Sequence, residues 1–242
     1  MFKDKVVAIT GAGGGLGSAI CRAFGEAGCK IVLLERNADR MNEIAGQLRD
    51  KGIDAYTVEI DVIDPGKVKE AAGKIEKEPG HIDILVNNAG GFANGPIEEF
   101  SDEDWDKMIK LNLYGPFYVT KYFLPLLKKS RGAHIFNISS IGGKVGLKNG
   151  TAYSASKFGL RGLSESLSEE LRKESIRVTT VFPHMMNSAG DEIEPEKRNK
   201  IIEPADVANQ VTAAAASPDY VNIPEIIVYP LASGVVKRDN LA

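Results

Sequence analysis

A short apolar segment that stops at a cluster of glycines constrains the fold of this chain more than any other stretch. Residues 6–10 are rich in β-branched side chains, residues 11–15 are mostly glycine, and a helical pattern of apolar residues begins at Leu16. The N-terminus of a helix exposes unpaired N–H groups, and glycines allow a phosphate to approach the backbone closely. The order strand, tight turn, helix therefore predicts a pyrophosphate site, with a plain glycine-rich turn as the alternative.

The glycines follow the spacing T-G-x-x-x-G-x-G, with Thr10, Gly11, Gly15 and Gly17 at the fixed positions. This spacing differs from G-x-G-x-x-G, because Leu16 stands where the last glycine of that fingerprint would be. It resembles the opening of the short-chain dehydrogenase/reductase family. The resemblance implies a cofactor site at this turn, made by Gly11, Gly13, Gly14, Gly15, Leu16 and Gly17.

The composition is that of an ordinary enzyme domain. The 242 residues suit one large α/β domain over 1–242, and the 30 basic and 33 acidic residues give a net charge of −3 with no basic block. We therefore expect no nucleic-acid or membrane partner. The apolar runs are too short for a bilayer span, and the start of the chain leads directly into a strand, which predicts a cytoplasmic protein. Cys21 and Cys29 form no ligand cluster, so we expect free, buried thiols and no metal.

Apolar strands alternate with amphipathic helices along the whole chain. This alternation predicts a Rossmann-like doubly wound parallel sheet of about seven strands, with helices on both faces and the cofactor at the carboxyl ends of the strands. Beyond the first strand and helix, we expect strands at 30–34, 55–60, 82–86, 133–138, 176–182 and 224–229, and helices at 38–51, 101–127 and 204–216.

The end of the second strand bears on the choice of cofactor. Glu35 can accept hydrogen bonds from both hydroxyls of an adenosine ribose, and its charge repels a 2′-phosphate. Arg36 can instead clamp that phosphate or stack on adenine. NADP-dependent relatives often carry a second basic residue in the glycine turn, where this chain has Gly14. We therefore expect NAD as cofactor, with NADP as the alternative.

Two further segments match the family in order. Asp61 and Val62 follow the third strand, where the family binds adenine. Asp61 also fits the N-cap of the next helix, but Asp64 is the better candidate for that role. The N-N-A-G that ends the fourth strand braces the sheet and lines the nicotinamide ribose in the family. We assign its first asparagine mainly to the cofactor and its second mainly to structure, and we place all four in the cofactor site: Asn87, Asn88, Ala89 and Gly90.

A tyrosine and a lysine four residues apart form the predicted chemical centre. Tyr153 and Lys157 share one helix face, so an ammonium lies beside a phenol. A phenol titrates near pH 10 in water, and a neighbouring Lys⁺ and an oxidised nicotinamide both favour the phenolate. Ser140 can donate a hydrogen bond to the substrate oxygen as charge develops there, and Ser139 is the alternative.

The resemblance implies how these residues would work together. Hydride passes between a nicotinamide cofactor and a carbonyl or secondary alcohol, and Tyr153 gives or takes the hydroxyl proton. Lys157 lowers the pKa of Tyr153 and holds ribose hydroxyls, while Ser140 orients the substrate. Asn112 completes a proton path through a water. From the residue alone, the alternative is an asparagine that distorts its helix, and the two roles are compatible. The matching motifs span residues from about 5 to 188, and relatives commonly form dimers or tetramers through the helix that contains Asn112, so we expect a homo-oligomer.

The segment after the sixth strand departs from the family. Most relatives have Pro-Gly and then a threonine, whereas this chain has Pro183, His184 and Ser188. Ser188 can serve the nicotinamide carboxamide as threonine does, and we assign Pro183 to the cofactor site. His184 is a candidate substrate contact that shapes the pocket or points away from it. Residues 187–203 are charged and poor in apolar residues, which suits a substrate lid or a plain solvated loop.

Two other functions remain open from the residues alone. A non-catalytic cofactor sensor needs the glycine turn but not Ser140, Tyr153 and Lys157 together. A nucleotide-sugar epimerase or dehydratase shares Tyr-x-x-x-Lys but ordinarily needs a larger C-terminal domain.

Overall fold

The computed structural model describes residues 2–187, 194 and 199–233 and contains one seven-stranded sheet in which all strands run parallel. The strands are β1 Val6–Thr10, β2 Lys30–Glu35, β3 Ala55–Glu59, β4 Ile84–Asn87, β5 His134–Ile138, β6 Arg177–Pro183 and β7 Glu225–Val228. Their spatial order is β3-β2-β1-β4-β5-β6-β7, so the first three strands lie on one side of the sheet and β4 to β7 continue on the other side of β1.

Helices cover both faces of this sheet. They are α1 Gly15–Glu26, α2 Ala38–Asp50, α3 Pro65–Lys77, α4 Asp102–Ile109, α5 Gly115–Leu127, α6 Thr151–Leu171 and α7 Pro204–Ala215. The predicted helix 101–127 is divided, because a π-helical turn, Lys110–Tyr114, lies between α4 and α5. The expected doubly wound fold is thus confirmed, with strand and helix ends shifted by one or two residues.

Two apolar cores lie on opposite faces of the sheet. One joins α1, α2 and α7 to the sheet through residues such as Ile9, Phe24 and Val207, and the other joins α3 and α5 through residues such as Ala8 and Phe123. Adjacent residues Ala8 and Ile9 belong to different cores because successive side chains of a strand point to opposite faces. This two-sided burial explains why the first four residues of β1 are all apolar.

Three other expectations bear on the described part of the chain. No helix there is long and apolar enough to cross a membrane. Cys21 and Cys29 are both buried and free, and burial raises the pKa of each thiol to about 12. Asp64 is the N-cap of α3, as its sequence position predicts, since its Oδ1 accepts hydrogen bonds from the N–H groups of Gly66 and Lys67 at 2.8 and 3.1 Å.

Candidate active site

The glycine turn is closed so tightly that it needs glycine at two positions. Gly11 has a φ of +64°, and a Cβ on Gly17 would lie 2.1 Å from the carbonyl oxygen of Gly11. The Asn88 amide holds the turn from β4, since its Nδ2 donates to the carbonyl oxygens of Thr10 and Gly11 at 2.9 and 3.1 Å. The Thr10 hydroxyl in turn accepts the N–H groups of Asn88 and Ala89, both at 3.0 Å. The first βα turn and the end of β4 are therefore one rigid unit.

The space in front of this turn suits a pyrophosphate. Helix α1 begins at Gly15, and its N-cap Gly14 has no side chain to cap the first N–H groups, which leaves them for a ligand. A Cβ on Gly13 would lie 3.0 Å from Cβ of Arg40 and 3.2 Å from Oε2 of Glu35, so a larger residue would close the space between α1 and β2. The residues present fit the nucleotide cofactor that the motif predicts.

Three backbone N–H groups hold the carboxylate of Glu35. Its Oε2 accepts from Gly13 at 3.1 Å, and its Oε1 accepts from Arg36 and Asn37 at 2.8 and 3.1 Å. The Arg36 guanidinium lies 3.9 Å from the Asp61 carboxylate, in a largely exposed and therefore weak ion pair. Oδ1 of Asp61 accepts from the N–H of Ile63 at 3.2 Å, which places Asp61 and Val62 in the turn after β3.

The Asn87 side chain is buried, its amide nitrogen is hydrogen-bonded within the fold, and its Oδ1 has no hydrogen-bond partner among the described residues. Its Nδ2 donates to Oγ1 of Thr120 at 3.1 Å and to Oδ1 of Asn137 at 2.8 Å, and Asn137 donates to Oγ of Ser164 at 2.8 Å. This chain of amides joins β4, β5, α5 and α6. The contacts of Asn87 are those of a bracing residue, as those of Asn88 are, and a cofactor contact by either side chain stays a prediction.

Asn112 lies inside the π-helical turn and joins the loop after β4 to α6. Its Nδ2 donates to the Gly91 carbonyl at 3.0 Å and to Oγ of Ser156 at 3.1 Å, and its Oδ1 accepts from the Gly91 N–H at 2.9 Å. A Cβ on Gly90 would lie 3.0 Å from Oδ1 of Asn112 and 3.5 Å from Nζ of Lys157. A side chain at position 90 would therefore crowd Asn112 and Lys157, at the place where the nicotinamide ribose is expected.

Tyr153 and Lys157 occupy the first turns of α6 on the same face. Lys157 is only 5% exposed, its Nζ donates to the carbonyl oxygen of Ile138 at 3.0 Å, and the Nζ lies 5.7 Å from the centre of the Tyr153 ring. Burial lowers the pKa of Lys157 to about 8, because a charged ammonium loses hydration there. The predicted pairing of the two side chains is therefore present in the structure.

The pKa of Tyr153 moves in the direction opposite to the one expected from the sequence. Burial raises the pKa of the phenol above its usual value, and the hydrogen bond with Ser140 offsets only part of that rise. The protein by itself therefore holds Tyr153 as a neutral phenol. In this state the tyrosine is a proton donor.

The structure also separates the two candidate serines. Ser140 caps the short 3₁₀ turn Ile141–Gly143, with its Oγ accepting from the Gly142 N–H at 3.2 Å, and it hydrogen-bonds the Tyr153 phenol. Ser139 is buried and its hydroxyl donates to the Lys157 carbonyl at 3.2 Å, which occupies it within the fold. The arrangement favours Ser140 as the hydroxyl next to the substrate.

His184 directly follows Pro183, the last residue of β6. Its N–H donates to the Val228 carbonyl at 3.0 Å, and its ring meets that of Tyr229 edge-on, with centroids 6.4 Å apart. Its Nδ1 is buried without a hydrogen-bond partner among the described residues, and burial lowers the pKa of the ring. A substrate contact by His184 stays a prediction, while Ser188 and most of the predicted lid at 187–203 lie outside the described residues.

Residues 91–95 are expected from the sequence to line the substrate pocket, but the sequence does not predict two particular contacts there. Gly91, paired with the Asn112 side chain, and Phe92, whose ring meets that of Tyr153, belong to no motif. The only sequence signal was their place directly after the N-N-A-G segment, at the carboxyl end of a central strand.

The fold and these groups define a nucleotide-binding oxidoreductase. The profile of the short chain dehydrogenase family matches residues 5–199, and the chain belongs to that family. It is similar to an uncharacterized oxidoreductase of Staphylococcus aureus strain MRSA252, with 34% identity over 231 residues that cover 96% of this chain and 99% of that protein.

Two solved structures share the fold over almost their whole length. An alcohol dehydrogenase of the archaeon Thermococcus sibiricus, complexed with 5-hydroxy-NADP, has a TM-score of 0.88 and 27% identity and covers 95% of this chain and 97% of its own. A metagenomic short-chain oxidoreductase in complex with NADP has a TM-score of 0.83 and 33% identity and covers 95% of this chain and 98% of its own.

Proposed function

We propose that this chain catalyses reversible hydride transfer between a nicotinamide cofactor and a carbonyl compound or secondary alcohol. The observation that carries the proposal is the grouping of Ser140, Tyr153 and Lys157 at the carboxyl ends of β4 and β5, with Nζ of Lys157 next to Gly90. A sensor that only binds the cofactor has no use for a buried lysine next to a half-buried phenol. The cofactor, when bound, supplies or accepts the hydride.

The proton step follows from the protonation state of the side chains. In reduction, the neutral Tyr153 phenol donates its proton to the carbonyl oxygen, and the Ser140 hydroxyl donates a hydrogen bond to the same oxygen. In oxidation, Tyr153 takes the hydroxyl proton, and the positive charge of Lys157 stabilises the phenolate. Lys157 would also hold ribose hydroxyls, for which its Nζ is placed next to Gly90.

Asn112 acts in this proposal mainly as a positioning residue. Its side-chain amide is hydrogen-bonded to Gly91 and Ser156. A water on the predicted proton path would therefore bind a main-chain group instead of this amide. Ser156 donates to the Tyr153 carbonyl at 2.7 Å, which connects Asn112 to the start of the catalytic helix.

The proposed cofactor is NAD. The three N–H groups that hold Glu35 fix a negative charge beside the glycine turn, where a 2′-phosphate on the adenosine ribose would meet repulsion. NADP is the alternative, because the two solved relatives hold NADP or a derivative of it and because Arg36 and Arg40 lie close to Glu35.

A panel of ketones, aldehydes and secondary alcohols, run with both nicotinamide cofactors, tests the activity and the cofactor together. We expect turnover of at least one carbonyl compound, with kcat/KM for NADH about tenfold or more above that for NADPH, which corresponds to about 1.4 kcal/mol of charge repulsion. Replacing Glu35 with serine should narrow that ratio. Binding of a cofactor without turnover of any compound would favour a sensor, and a preference for NADPH in the wild-type protein would contradict the NAD proposal.

The pKa directions predict how reduction depends on pH. Reduction needs a protonated Tyr153 and a charged Lys157, and the pKa of Lys157 lies at about 8 whereas that of Tyr153 is raised. We therefore expect kcat/KM for reduction to be constant below about pH 7 and to fall about tenfold per pH unit well above pH 8. Steady-state rates from about pH 6 to about pH 10 measure this. In the Lys157→Arg variant the positive charge persists at high pH, so the decline of kcat/KM should move towards the pKa of Tyr153. A wild-type profile without a decline near pH 8 would show that reduction does not need a charged Lys157.

A further inference from the structure

A phenylalanine outside every catalytic motif lies against the proposed proton donor. The rings of Phe92 and Tyr153 have centroids 4.9 Å apart and planes at 79°, which is a favourable edge-to-face contact. Phe92 is nevertheless 62% exposed. A large part of its apolar surface is therefore uncovered directly beside the catalytic phenol, where a substrate has to lie.

The loop that carries Phe92 is fixed on both sides of it. On one side, the two hydrogen bonds with Asn112 hold Gly91, and a Cβ on Gly91 would lie 3.1 Å from Cδ2 of Leu111. On the other side, the Gly95 N–H donates to the Asn149 carbonyl at 2.8 Å. The backbone on both sides of Phe92 is therefore held by the fold, which limits the reorganisation that binding of a ligand would require.

A second apolar side chain lies beside the Tyr153 ring. The position of a Cβ on Gly142 is 3.1 Å from Cδ1 of Leu147 and 3.1 Å from Cε1 of Tyr153, so Leu147 and Tyr153 both pack next to the Gly142 backbone. The hydroxyl groups of Ser140 and Tyr153 are therefore the polar groups here, and the apolar side chains of Phe92 and Leu147 lie beside the Tyr153 ring. This combination suits a ligand with one polar atom and a bulky apolar group.

We propose that Phe92 determines the substrate preference, by packing against an aryl or similarly bulky apolar substituent on the carbonyl carbon. The proposal rests on the proposed function, because it places the carbonyl oxygen at Ser140 and Tyr153. The substituent then contacts the uncovered surface of Phe92, and this contact removes apolar surface of both groups from water. A charged substituent at this position would lose hydration without gaining a polar partner from Phe92.

Acetophenone and acetone test the proposal, because they differ only in a phenyl group that replaces a methyl group. We expect wild-type kcat/KM for acetophenone to exceed that for acetone by about 100-fold, from the larger apolar area buried. The Phe92→Ala variant should lose about tenfold in kcat/KM for acetophenone, mainly through KM, and change by less than about threefold for acetone. Equal losses for both ketones, or no loss for acetophenone, would overturn the proposal.

Two further variants separate packing from damage to the fold. Phe92→Tyr keeps an aromatic ring and should retain the preference for acetophenone to within about threefold. Tyr220→Leu removes an aromatic ring that is 85% exposed in the segment before β7, at the opposite end of the sheet, and should change neither ketone. A loss of the preference in Phe92→Tyr, or an equal loss in Tyr220→Leu, would count against a specific contact.

Equilibrium binding distinguishes failure of this proposal from failure of the proposed function. Titration of acetophenone into the Tyr153→Phe protein, with the oxidised cofactor bound, needs no turnover. Adding Phe92→Ala to that protein should raise the Kd for acetophenone about tenfold. If the wild-type enzyme turns over neither this ketone nor any other, the proposed function fails; if it turns over ketones but the Kd does not change, only the role of Phe92 fails.

Discussion

Replacing Tyr153 with phenylalanine is expected to lower kcat for carbonyl reduction by about 10²- to 10⁴-fold, the range that a positioned general acid contributes. The substitution removes one hydroxyl, and the ring keeps its edge-to-face contact with Phe92 and its place on α6. The glycine turn, Glu35 and Gly90 are untouched, so the Kd for NADH should stay within about threefold of the wild-type value. Steady-state kinetics and a titration of NADH fluorescence give the two quantities on the same preparation.

A matched control is the same change at an exposed tyrosine. Tyr220→Phe alters a side chain that is 85% exposed, so it should leave both kcat and the Kd for NADH unchanged. Near-normal turnover in Tyr153→Phe would show that another group supplies the proton. A Kd for NADH that rises as much as kcat falls would instead assign Tyr153 to cofactor binding.

The fold could be predicted from the sequence because its signals are local. The strand Val6–Thr10 begins with four apolar residues, and Asp64 and Pro65 mark the start of α3. Ser101 marks the start of α4, where its Oγ accepts from the Asp104 N–H at 3.0 Å. A distortion of the helix at Asn112 was one of the expectations from the sequence, but its form as a π-helical turn was not predicted. Asn112 pairs there with Gly91 and Ser156, which lie 21 and 44 residues away.

The roles within the site were only partly predictable, for the same reason. Motif spacing places Tyr153 and Lys157 on one helix face, but it does not show how deeply each side chain is buried. Burial opposes the charged form of both groups, and this effect raises the pKa of Tyr153 while it lowers that of Lys157. The amide nitrogen of Asn87 likewise donates to Thr120 and Asn137, which a sequence pattern cannot show.

Replacing Gly17 with alanine is expected to destabilise the protein by about 3 kcal/mol and to abolish cofactor binding. The added methyl group would lie 2.1 Å from the carbonyl oxygen of Gly11 and 2.9 Å from Nδ2 of Asn88, and both atoms belong to the rigid unit that joins the glycine turn to β4. Relief therefore requires the turn to open. For a domain of this size the thermal midpoint should fall by about 10 °C.

Gly46→Ala provides the matched control, because it makes the same chemical change inside helix α2. Apart from the surrounding backbone of α2, no atom of the described residues lies within 4 Å of a Cβ built on Gly46. The alanine should therefore raise stability by about 0.5–1 kcal/mol through its higher helix propensity and leave the Kd for NADH unchanged. Thermal unfolding and cofactor titration of both variants test the argument. If Gly17→Ala lowers stability while Gly46→Ala raises it, the loss of stability comes from the contact with the Gly11 carbonyl. If Gly17→Ala is tolerated, the turn can rearrange, and its tight closure is not what shapes the phosphate site.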